Sequence, residues 1–100
     1  MSHLDETQRR KGNLDAIMDG FISKSPLYKM QSICGAVNHR VYNDAIRKQL
    51  DSLKSDGTTV MGYSLSQLAI AALDRFGAIQ YAGNDPSVIA LIKAEKWFDQ

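Results

Sequence analysis

The sequence predicts a mainly α domain with one small β-hairpin, about five helices around a single core. Three observations carry this. Apolar residues recur at helical spacing in five stretches. Ser25-Pro26 and Asp85-Pro86 are helix starts, because the first residue caps free amides and proline loses no hydrogen bond at the first helical position. Two groups of residues that favour extended backbone, Thr58-Thr59-Val60 and Tyr63 with Leu65, flank Met61-Gly62 at a length suited to a tight hairpin.

Residues 1–12 read as a flexible polar leader and 13–100 as one domain. Leu14, Ile17, Met18, Phe21 and Ile22 define a first helix over 13–23, and Leu27, Met30, Ile33, Cys34 and Val37 a second over 26–37. Asn38-His39-Arg40 interrupts the pattern as a turn. The pattern resumes at Val41 through Tyr42, Ala45, Ile46, Leu50 and Leu53, a third helix ended by Ser55-Asp56-Gly57, where glycine supplies a left-handed residue. After the hairpin, Ser66, or Ser64 with Gln67, caps a fourth helix running to about Gly77. A last helix over 86–98 carries Val88, Ile89, Leu91, Ile92, Trp97 and Phe98, a wide apolar set that either covers the core or meets a second subunit.

A composition of 44% hydrophobic and 23% charged residues is that of a folded, water-soluble chain. No apolar run is long enough for a membrane span and the start lacks a signal-peptide core, so a cytoplasmic protein without a membrane partner is expected. Cys34, alone, reads as a buried thiol in a reducing compartment. The net charge of +1 is unevenly spread: from Arg9 to Lys48 there are eight basic and three acidic residues. An anionic partner would dock on that half.

The segment from Val41 to Phe76 resembles the winged helix-turn-helix superfamily. Ile46, Leu50 and Leu53 precede Gly57 by eleven, seven and four residues, and Tyr63-Ser64-Leu65-Ser66 matches the step from wing to helix. The resemblance implies a regulator of transcription, or of plasmid or phage DNA, that binds double-stranded DNA as a homodimer. The start of the third helix would enter the major groove, with Asn38, His39, Arg40, Tyr42, Asn43 and Arg47 at or near that end. Lys48, Lys29 and the Arg9-Arg10-Lys11 cluster would hold phosphates, and Thr58, Thr59 and Gly62 would set the wing against the backbone. Arg40 stands where such a turn usually has glycine, which implies a turn of different length or shape.

A second resemblance, to ribbon-helix-helix proteins, takes Val37-Asn38-His39-Arg40-Val41 as a strand, Asn43-Asp44 as the start of one helix and Ser64 as the start of the next. Other readings of the same residues are plainer. Asn38 and Arg40 also suit a solvated turn, His39 an exposed turn residue, Tyr42 a core residue, and the basic run a soluble flank. Two histidines and one cysteine show no zinc spacing, and no nucleophile with its base, carboxylate pair or phosphate loop is visible, so neither a cofactor nor an enzyme is expected. The competing function is a protein-binding module, such as a small phage or plasmid inhibitor or assembly factor, which the near-neutral charge and apolar last helix suit.

Overall fold

The computed structural model describes residues 8, 9 and 11–98. Its elements are α1 (Leu14–Ile22), α2 (Pro26–His39), α3 (Asp44–Leu53), the hairpin β1 (Thr59–Val60) and β2 (Tyr63–Ser64), α4 (Leu65–Arg75) and α5 (Pro86–Lys93). The chain is mainly helical with a small antiparallel hairpin, as its sequence predicts.

Each of these helices begins on a side-chain acceptor. Asn13, Ser25, Asn43, Ser64 and Asp85 take the amides of Ala16, Tyr28, Ile46, Gln67 and Ser87, satisfying N–H groups that have no partner within the helix. Ser64 and Gln67 form a reciprocal capping box. The Gln67 amide also donates to Asp85 at 3.0 Å, which ties the starts of α4 and α5 together.

α1 packs on α2, α3 packs on α4, and α2 packs on α4, so two helix pairs are stacked through their second members, with α5 packed on α4. α3 makes little contact with α2. One buried cluster runs through all these helices, from Ile17 and Phe21 through Ile33, Ile46, Leu50, Leu68 and Leu73 to Val88, Leu91 and Trp97. Burying a side chain of this size contributes about 1.5–3 kcal/mol.

Several boundaries differ from the sequence reading. α2 continues to His39, so Asn38 and His39 lie in its last turn and the expected turn begins only at Arg40. Val37 to His39 is helix, not the strand that a ribbon-helix-helix protein needs. α3 starts at Asp44 rather than Val41, because Asn43 is extended and caps it. Gly57 does not take a positive φ; Asp56 instead accepts the Thr58 amide at 2.9 Å and turns the chain into β1. α5 stops at Lys93, and Trp97 reaches the core from a non-helical segment. Arg9, placed in the detached leader by its polarity, is 2% exposed.

The turn after α2 is left-handed at Arg40, with φ 55° and ψ 42°. Val41 N–H returns to the Ala36 carbonyl at 2.9 Å and Arg40 N–H to Val37 at 3.3 Å, the bond pair that closes a helix around a left-handed residue. The position where glycine is usual thus keeps glycine's conformation with an arginine in it, and no longer turn is needed. In the hairpin, Met61 (φ 54°) and Gly62 (φ 88°) are both left-handed, the twist that suits a two-residue connection.

Left-handed backbone costs a residue with a Cβ about 1 kcal/mol. Arg40→Gly is therefore expected to raise the unfolding free energy by about 0.5–1 kcal/mol, read by urea titration. A loss of stability would mean that the arginine side chain contributes more than its backbone costs.

Candidate macromolecule-binding surface

The side chains nominated for contact with DNA divide into those spent on the fold and those left on the surface. Asn38 belongs to the first group. Its Oδ1 accepts the Trp97 amide at 2.7 Å and its Nδ2 donates to the Trp97 carbonyl at 2.8 Å, so its hydrogen-bonding groups are turned to the C-terminal segment. Asn43 Oδ1 accepts the Ile46 N–H at 2.8 Å. Tyr42 stacks on Phe76 with centroids 4.4 Å apart and planes at 16°, and stays partly exposed. His39 is exposed at the end of α2, beside Gly12.

Arg40, Arg47 and Lys48 remain on the surface. Arg47 and Lys54 both approach Asp51, at 3.8 and 3.4 Å, so part of the positive charge is neutralised along the helix itself. Among the described residues, Arg40 and Lys48 have no carboxylate partner. Asp44 occupies the first turn of α3, where it suits the helix dipole but would oppose a phosphate. From 40 to 56 there are four basic and three acidic residues, a weakly positive face.

Thr58 and Thr59 are exposed beyond the opposite end of α3, a helix of ten residues and so about 15 Å long. Each strand of the hairpin has two residues, with Thr59 opposite Ser64, and β1 lies against α2. The exposed Met61 forms its tip.

The basic cluster before α1 is used differently from its sequence reading. Arg9 is buried: its Nε donates to Gln31 Oε1 at 3.1 Å, its guanidinium lies 4.4 Å from the centre of the Tyr28 ring, and Nη1 sits 3.9 Å from Asp19. A guanidinium so enclosed is a structural cation rather than a phosphate contact. Lys11 is exposed, and Arg10 lies outside the described residues. Lys29 is half-buried, and its charge helps hold down the Asp56 carboxylate beside the hairpin.

Exposed apolar side chains lie elsewhere. Leu14, Met18 and Ile22 follow one another at i, i+4 and i+8 along α1, with Leu14 43% and Ile22 70% exposed and Met18 partly buried. Leu27 and Tyr28, just past the turn, are 42% and 43% exposed. Leu14 and Ile22 belong to the apolar face that periodicity marks on the first helix, but periodicity does not show how much of such a stripe is covered.

Among the described residues no group of three His, Cys, Asp or Glu side chains is placed to hold a metal ion, and no helix is long and apolar enough to cross a membrane. Comparison with known proteins returns no match: no protein-family model, no curated protein and no solved structure is similar to this chain.

Two carboxylates lie below their usual range. Asp56 is held down by its hydrogen bonds with the Thr58 side chain and amide, and Asp85 by the Gln67 amide group and the Ser87 N–H. A carboxylate with a depressed folded pKa contributes stability above its unfolded pKa and loses it as pH falls through the folded one. Stability is expected to hold above about pH 5 and to drop progressively below about pH 4, the ordinary carboxylate range. Asp56→Asn with Asp85→Asn, which keeps an acceptor for the Thr58 and Ser87 amides and removes the charge, should flatten that acid limb in a pH series of urea melts.

Proposed function

We propose that this chain is a protein-binding module built from stacked helix pairs, with the α1 stripe and the neighbouring start of α2 as its contact surface. One observation carries the reading. Apolar side chains remain exposed at Leu14, Ile22, Leu27 and Tyr28, while Asn38 and Asn43, whose short polar side chains suit base edges, are bonded within the fold. A patch of this kind gains affinity by losing water, with little dependence on salt.

A second reading, DNA binding through α3, is favoured by Arg40 and Lys48, which stand exposed without carboxylate partners, and by the exposed Thr58 and Thr59 at the hairpin. It is the function implied by the winged helix-turn-helix resemblance, and it would draw on a homodimer to double the contacts.

The two readings part on salt. With mixed duplex DNA at about 50 mM salt, fluorescence anisotropy is expected to show no tight binding; affinity that falls by orders of magnitude between about 50 and 200 mM would restore the DNA reading. In affinity capture from the native source, a protein prey is expected to stay bound at about 500 mM salt, where exposed charges are screened within about 4 Å. Ile22→Glu should release it and Lys48→Ala should not. A prey indifferent to Ile22→Glu would exclude the α1 stripe.

A further inference from the structure

Beyond Lys93 the chain stops being helical and is held as a bent, non-helical segment, although nothing in its periodicity marks the break. Ala94 has φ −71° and ψ 137°. The Arg75 guanidinium, at the end of α4, donates to the carbonyls of Ile92, Ala94 and Glu95. Asn38, at the end of α2, receives the Trp97 amide and donates to the Trp97 carbonyl, the same pair of bonds that a neighbouring strand would make. The indole is 1% exposed and its Nε1 donates to the Leu91 carbonyl at 2.8 Å. Phe98 meets the Tyr63 ring edge-on at 5.3 Å. Beside them a cleft of about 210 Å³ is lined by Tyr63, Ala90 and Leu91 and by residues of the segment itself.

These contacts have the two parts of a peptide receptor. Asn38 and Arg75 hold main-chain atoms, which every peptide carries, and the indole site with Tyr63 selects aromatic side chains. Asn38, Arg75 and Tyr63 all lie outside the held segment, so the groups that grip its main chain and the Phe98 ring belong to the rest of the fold. We propose that the site holding this segment is a binding site for non-helical, tryptophan-bearing peptide segments, and that residues 94–98 occupy it in the free protein as a displaceable strap. The site is distinct from the α1 stripe and does not depend on it. A partner segment must outcompete a tethered one, whose effective concentration is in the millimolar range.

The probe is a labelled heptapeptide, Ala-Glu-Lys-Trp-Phe-Asp-Gln, with the sequence of residues 94–100. It is added to the full chain and to a full-length variant, Trp97→Ala with Phe98→Ala, that weakens the strap and keeps the site. The variant is expected to bind the peptide at least about tenfold more tightly than the native chain does, and adding Asn38→Ala should abolish that binding. A folded variant that fails to bind at about 1 mM peptide, or binding indifferent to Asn38→Ala, would overturn the proposal. If the variant does not fold, hydrogen exchange of the native chain decides. The Trp97 amide should exchange at least about tenfold faster than the amides of Ile33 and Leu68, through an opening that leaves the core closed. Exchange of all three at one rate would show that the strap opens only with global unfolding and would exclude displacement.

Discussion

From Met30 to Val37 every residue of α2 is buried, polar Gln31 and Ser32 among them, and a helix enclosed on all sides needs partners on all sides. α1 covers one face and α4 another, β1 lies against it, and Gln31 holds the buried Arg9. The C-terminal segment is fixed to its last turn through Asn38. The approach of Arg9 is close enough that Gly35 has no room for a Cβ, which would run into the Arg9 carbonyl. Segments from both ends of the chain thus converge on one helix that would otherwise expose its backbone and polar side chains.

Enclosing that helix sets the polar chemistry as well. Arg9 is compensated by Gln31, Tyr28 and Asp19, a set that keeps a desolvated guanidinium satisfied. Ser32 Oγ is the exception: it is buried without a hydrogen-bond partner, packed against Gly20 at the α1–α2 crossing. An orphan hydroxyl of this kind costs about 1–3 kcal/mol, so close packing of α1 on α2 outweighs it. The basic half of the sequence becomes a modest surface feature for the same reason, since Arg9 is taken inside and Arg47 shares its field with Asp51. What stands out on the surface is apolar, along α1 and at the start of α2.

The helices and the hairpin were legible because their signals are local. Caps such as Ser25, Ser64 and Asp85 bond amides two or three residues away, and the Met61-Gly62 hairpin follows from β-favouring residues on either side of a two-residue turn. The candidate site was less legible. Asn38, Arg40 and Asn43 are the right residue types for reading bases, yet the same types close helices and hold main chain, and only position separates the uses. Asn38 meets a residue 59 positions away, a contact that no local pattern encodes.

The sequence by itself determined where the chain can be helical, how most of those helices start, and that a short hairpin separates the third from the fourth, since each depends on hydrogen bonds and periodicity within a few residues. Tertiary structure decided which apolar side chains would be covered, that α5 would end at Lys93 and pass into a non-helical segment, and that Asn38 and Arg9 would be spent on the fold. Those outcomes rest on contacts between distant segments, where burial and the need to satisfy every enclosed polar group outweigh local preference.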